Sequence, residues 1–187
     1  MIFVRTADRP ALRMMLLAPF TLHYLNRSLL YPFSVSRGRP MPLLASGSAF
    51  LFTFYNGVLQ SHFLLSLARL EDLRPAISVL GVLTFAWGMF VNIQSDNILR
   101  SLRREGESGY KIPHGGMFRF VSSPNYLGEI TEWIGYAMIA QTAASLWFAL
   151  FSLTFLGWRA VKTHHWYQDK FKSDYPGERK AVIPFLL

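Results

Sequence analysis

Apolar residues run in five long blocks with the charges gathered between them. The blocks cover residues 11–31, 42–67, 75–99, 125–140 and 144–167. Each is near the roughly 20 residues that a helix needs to cross a bilayer. Proline punctuates them: Pro32 follows the first, Pro42 opens the second, and Pro75 sits where a first-turn proline is tolerated. Ser123-Pro124 is placed to start the fourth, with serine as cap and proline at the first helical position. No internal repeat or low-complexity linker interrupts the pattern. The prediction is an all-α, polytopic membrane helix bundle of about five transmembrane helices, forming a single domain over residues 1–187.

Composition alone is less telling. The chain is 51% hydrophobic, little above the roughly 45–50% of a soluble domain, with mean hydropathy +0.23. Net charge is +8 and the pI is about 10.0. A basic soluble protein could bind nucleic acid, but here the cations flank apolar blocks, as in the cytoplasmic loops of membrane proteins. No nucleic-acid partner is expected. The absence of cysteine excludes disulfides and thiolate zinc sites. "MIFVRTADRP" is polar where a secretory signal would turn apolar, so no signal peptide is expected. The loop after block one carries Arg37 and Arg39, and the next cancels Arg69 and Arg74 against Glu71 and Asp72. The loop after block three carries Arg100, Arg103, Arg104, Lys111 and Arg119, and the tail carries Lys162, Lys170, Lys172, Arg179 and Lys180. The positive-inside tendency makes the first, third and C-terminal segments cytoplasmic. Arg5, Arg9 and Arg13 then fall outside, which leads to the expectation that something upstream is missing.

Polar residues inside the blocks carry the functional signal, because charges at membrane depth are costly and face internal cavities. In "HYLNRSLLY", His23, Tyr24, Arg27 and Tyr31 share one broad helix face. Interfacial snorkelling explains Arg27 and Tyr31 equally well. Asn56 and Gln60, four apart, read first as interhelical hydrogen-bond glue. Asn92, Asp96, Arg100 and Arg103 form a stripe with the spacing of a solvated acid–base pair, although Asn92 and Asp96 lie inside the apolar block. Gly109, Gly115 and Gly116 make "GYKIPHGG" a turn that could approach phosphate, a weak signal alone. Glu129 and Glu132 stand one turn apart in "SSPNYLGEITEWIGYA", after Asn125. One such carboxylate is most simply a buried ion pair, while two after an asparagine suit a polar ligand. Arg159, Thr163 and Tyr167 line the cytoplasmic end of block five, beside His164 and His165, which lack a second ligand pair, so no metal site is expected. The layout is a cytoplasm-facing pocket for an anionic cofactor, with an apolar substrate entering from membrane lipid.

These runs are familiar. "LHYLNRSLLY" with "SRGRP", "NGVLQ", "NIQSDNILRSLR", "GYKIPHGGMFRFVSSPNYLGEITEWIGYA", "FLGWRAVKTHHWY" and "DYPGERKAVIPFLL" closely resemble the steroid 5-alpha-reductase family (3-oxo-5-alpha-steroid 4-dehydrogenases) from about residue 17 to 187. The resemblance implies NADPH-dependent reduction of the 4,5 double bond of a 3-oxo-4-ene steroid or a related enone lipid. Tyr24 matches the tyrosine that hydrogen-bonds the substrate carbonyl. Arg39, Asn92, Asp96, Arg103, Tyr110, Lys111, Asn125, Arg159 and Tyr167 match cofactor positions, and Tyr31 and Glu129 join them in the polar pocket. Of these, Arg39, Arg103 and Arg159 would serve phosphates and Asn125 the nicotinamide end. Lys111 stands where many relatives have arginine. Full-length relatives have seven transmembrane helices, the additional two N-terminal, and the second carries a glutamate that works with the carbonyl tyrosine. A chain without it could be a catalytically incomplete nucleotide-binding fragment. A membrane methyltransferase of the isoprenylcysteine or phospholipid type shares several of these features, but S-adenosylmethionine has no phosphates to occupy the three arginines. The expected location is a bacterial inner membrane or endoplasmic reticulum, multi-pass, with the cofactor site toward the cytoplasm.

Overall fold

The computed structural model describes residues 9–34, 42–102 and 109–187. Its elements there are helical, apart from one isolated bridge between Val121 and Lys180. Helix α1 (Pro10–Leu25) passes through a π turn (Asn26–Leu30) into a short α2 (Tyr31–Ser34), so block one is one rod. Helix α3 (Leu43–His62) likewise ends in a π turn (Phe63–Leu67). Helices α4 (Pro75–Ser101), α5 (Pro124–Ala140) and α6 (Ala143–Phe171) complete the bundle.

The helix positions follow the apolar blocks, but the membrane count does not carry over whole. Among the described residues two helical stretches are long and apolar enough to cross a bilayer, Pro75–Ser101 and Ala143–Asp174. α1 and α5 have 16 and 17 residues, near the lower limit of about 17 for a crossing, and α1 gains length only through its π turn and α2. α3 is longer, but Ser46, Ser48, Asn56 and Gln60 dilute it. α4, at 27 residues, spans about 40 Å against a hydrocarbon core of about 30 Å. Its last turns, with Asp96 and Arg100, therefore have room to stand beyond the lipid.

Antiparallel α4 and α5 touch backbone to backbone. Gly81 and Gly88 face Gly135 and Gly128, each pair of glycines seven residues apart on its helix. A Cβ on Gly88 would meet the Glu132 nitrogen at 2.5 Å and the Gly128 carbonyl at 2.6 Å. Small residues are how helices approach closely in lipid, where no hydrophobic effect drives them together. This approach brings Asn92 onto the first turn of α5, its Nδ2 donating to the Asn125 carbonyl at 2.9 Å.

The α5–α6 corner is built from side chains. Gln141 takes a left-handed conformation at φ 48°, and Thr142 and Ser145 form a reciprocal capping box at the start of α6. Gln141 also clamps the start of α4: its Oε1 accepts from the Arg74 N–H at 3.1 Å, and its Nε2 donates to the Arg74 carbonyl and the Ser78 hydroxyl at 3.1 and 2.9 Å. Gln141→Ala is expected to cost about 1–3 kcal/mol through those lost bonds, read as a lower Tm in detergent. At the start of α5, Pro124 occupies the first position as expected, but Ser123 makes no side-chain cap and its buried hydroxyl has no partner. The chain end supplies order there instead, because Lys180 and Ala181 carbonyls accept from the Ser122 and Ser123 N–H groups at 2.8 and 3.1 Å.

Candidate active site

Apolar packing and polar pairing meet at the α1 segment. Phe20 and Tyr24 pack with tilted rings 4.8 Å apart, and Trp133 of α5 lies 5.8 Å from each ring. His23, on the same face, is 3% exposed. Its Nδ1 is 2.7 Å from Oε2 of Glu132, and its Nε2 is 3.9 Å from Oε1 of Glu129. The two carboxylates thus differ in role. Glu132, 1% exposed, is consumed by the core pair with histidine, whereas Glu129 keeps 17% of its side chain exposed and faces the polar side.

One turn further along, Arg27 donates to Asp96 of α4 at 3.1 Å. The α4 stripe therefore does not close on itself. Asp96 turns to Arg27 across 69 residues of sequence, while Arg100 hydrogen-bonds Asn97. Tyr31 sits beneath both guanidiniums, at 5.0 Å from Arg27 and 5.8 Å from Arg100. Asn26, Leu30, Tyr31, Asp96, Asn97 and Arg100 line a small cleft of about 40 Å³. The π turn carries Arg27 at its start, and such turns are frequent at functional sites.

The predicted residues fall into three sets. Tyr24, Tyr31, Asn92, Asp96, Asn125 and Glu129 come together where α1, α4 and α5 meet. Arg159 borders that group from α6: its exposed guanidinium lies 5.6 Å over Tyr126, beside Asn125, and 5.8 Å over Phe155. Tyr110 and Tyr167 form a second group through Trp166, with ring centroids 4.8 and 5.0 Å from it. Tyr167 is buried and stacks on Tyr175 at 5.4 Å, while Tyr110 is 56% exposed and Lys111 is exposed beside it. Arg39 and Arg103 lie outside the described residues. His23 and Arg27 were visible as part of the α1 polar face but were not placed in the site. Their partners on α4 and α5 are what mark them, and no sequence spacing reveals those.

A sequence model of the family described as 3-oxo-5-alpha-steroid 4-dehydrogenase matches residues 39–187. The chain belongs to that family. It is 47% identical over 174 residues to 3-oxo-5-alpha-steroid 4-dehydrogenase 1 of Bos taurus, covering 92% of this chain and 67% of the bovine protein. It is 48% identical over 175 residues to human 3-oxo-5-alpha-steroid 4-dehydrogenase 2, with 91% and 67% covered. The likeness extends to a plant protein, the steroid 5-alpha-reductase DET2 of Gossypium hirsutum, at 42% over 180 residues with 92% and 69% covered. The reductases are oxidoreductases of steroid metabolism, and the long apolar helices are consistent with a membrane protein. The methyltransferase alternative is set aside.

Among the described residues Arg159 has no carboxylate partner, and its exposed guanidinium lies over the Tyr126 and Phe155 rings, a cation whose planar shape would fit a phosphate group.

Proposed function

We propose that this protein reduces the 4,5 double bond of a 3-oxo-4-ene steroid or a related enone lipid with NADPH. The observation that carries the reading is Tyr24, whose ring packs on Phe20 and Trp133 while its hydroxyl meets the Asn56 amide, on the same helical rod as Arg27, which pairs with Asp96. Apolar substrate would enter from lipid on the aromatic side. Asn92, Asp96, Asn125, Glu129 and Tyr31 would form the inner cofactor wall. Arg159, with Arg39 and Arg103, would meet phosphates, and Tyr110, Lys111 and Tyr167 the outer end. We read the chain as one polytopic membrane domain, with α1–α2, α3, α4, α5 and α6 as five crossings. The basic loops place the cofactor side in the cytoplasm.

A reduced nicotinamide bound there would supply hydride to the β-carbon of the enone. Negative charge then gathers on the carbonyl oxygen, and Tyr24 donates a hydrogen bond to it. The packed rings around Tyr24 keep water from competing for that oxygen.

The test is to purify the full chain in mild detergent, identify bound nucleotide by mass spectrometry, and follow NADPH oxidation with testosterone. NADP(H) in the wild type and turnover of the enone are expected. Tyr24→Phe should keep the nucleotide but lower kcat by about 10²–10³, the usual effect of losing one donor to a developing oxyanion. S-adenosyl compounds in the pocket, or a Tyr24→Phe variant as active as wild type, would overturn the reading. Nucleotide without turnover would identify a binding fragment.

A further inference from the structure

Two amides stand in the otherwise apolar helix α3, one turn apart and 6% and 2% exposed: Asn56 and Gln60. Burying them costs free energy unless they are paired. Gln60 Nε2 donates to two acceptors, the Ala144 carbonyl in the first turn of α6 and Asn56 Oδ1, both at 3.1 Å. They do serve as interhelical glue, but glue does not require a particular direction.

Here the direction is imposed. A carbonyl oxygen accepts and never donates, so Ala144 fixes which end of the Gln60 amide faces it. Gln60 then takes up the oxygen of Asn56, which leaves the Asn56 Nδ2 on the opposite side. That nitrogen lies 3.5 Å from the hydroxyl oxygen of Tyr24. Flipping Gln60 would set its oxygen against the Ala144 carbonyl, and flipping Asn56 would set its NH2 group against that of Gln60. A phenol whose oxygen already faces a donor must send its own proton elsewhere. Thr53, on the turn before Asn56, lies beside the same hydroxyl, and as a hydroxyl it can hold that proton until a substrate carbonyl arrives. The last link is long, as hydrogen bonds in catalytic sites often are before substrate binds.

We infer that Asn56 and Gln60 are positioning residues for the reduction. They form a one-way hydrogen-bond relay from the Ala144 carbonyl that keeps the Tyr24 hydroxyl a donor toward the carbonyl of the enone. The inference rests on the role proposed above for Tyr24. It assigns the polarity of that role to residues on a different helix, and it makes the α3–α6 contact part of the active site.

The test separates polarity from packing. Asn56→Asp is nearly isosteric but presents an acceptor to Tyr24, which captures the phenolic proton. Asn56→Leu removes the donor without adding an acceptor. A hydrogen bond to an enone carbonyl shifts its ultraviolet absorption to the red, so testosterone binding is read without reduced nucleotide and without turnover. Wild type is expected to show the shift. Tyr24→Phe and Asn56→Asp should both abolish it and lower kcat by about 10²-fold with little change in KM. Asn56→Leu should lose less than Asn56→Asp. A merely structural role would lower stability and yield but leave the spectral shift of bound testosterone in place. The Asn56→Leu/Tyr24→Phe double variant should be no worse than Tyr24→Phe alone, which repeats the test without a buried charge.

A wild type without the shift overturns the relay, and so does Asn56→Asp at wild-type kcat or an additive double variant. Wild-type shift with no reduction of any enone would instead sink the proposed function and leave the relay standing on the spectral evidence.

Discussion

Gly128→Ala is expected to leave little folded protein. A methyl at this position would sit 2.5 Å from the Asn92 backbone nitrogen and 2.7 Å from the Gly88 carbonyl. Both are main-chain atoms of α4, so no rotamer change relieves the clash and the whole helix has to move. Overpacking of this kind costs about 1–3 kcal/mol where a side chain can yield, and here none can. The consequence reaches the site directly. The Asn92–Asn125 hydrogen bond lies within one turn of the contact, and Asp96, which holds Arg27, is one turn further along the displaced helix. Gly47→Ala and Gly57→Ala are the controls. Nothing stands within 4 Å of a Cβ at Gly47, and Gly57 would meet only the Phe20 ring at 3.9 Å. Both should be neutral or gain up to about 1 kcal/mol in helix propensity. Tryptophan-fluorescence melting and the yield of monodisperse protein decide the matter. A Gly128→Ala variant that melts with the wild type would mean that α4 and α5 do not pack through their glycines.

The helices that hold this contact were readable because the blocks are apolar and bounded by proline, and α4 and α5 begin at Pro75 and Pro124 as expected. The contact was not, although the seven-residue glycine spacing is printed in the sequence. Gly81, Gly88, Gly128 and Gly135 acquire meaning only when α4 and α5 run antiparallel with matching registers. The same limit explains the polar pairs. A spacing of four suggested Asp96 with Arg100, since local pairs are all that a helix stripe can display. The structure gives Asp96 to Arg27, and Glu132 to His23 across 109 residues. The residues of the inner site were legible one helix at a time, from polar groups that a bilayer would reject. Their partners were not, because partner choice is set by the tertiary packing. The count of five spans is less legible than the helices themselves, since hydropathy is diluted wherever a helix such as α3 carries buried amides.

His23→Leu is expected to be the most damaging change that leaves the backbone untouched. Glu132 is enclosed beside the glycine contact, and of its two oxygens only Oε2 has a hydrogen-bond partner, His23. The two side chains share a proton across 2.7 Å, whichever of them carries it. Taking the histidine away leaves a carboxyl group in packed apolar surroundings with no donor. Breaking a buried pair in this way costs about 3–5 kcal/mol. Replacing both partners by apolar residues is a different experiment, because no uncompensated group remains, and that exchange is often neutral or stabilising by about 1–4 kcal/mol. The expected pattern is therefore a low Tm for His23→Leu and recovery of the wild-type Tm in His23→Leu/Glu132→Leu. Recovery of stability should not restore turnover. His23 also approaches Glu129 at 3.9 Å and packs on Trp133 at 4.4 Å, so the double variant loses the group that links the core pair to the polar wall and to the ring behind Tyr24. A double variant as unstable as the single would show that the pair contributes net stability of its own. One that is both stable and fully active would show that the carboxylate is dispensable to the pocket, leaving Glu129 as the acidic group that matters there.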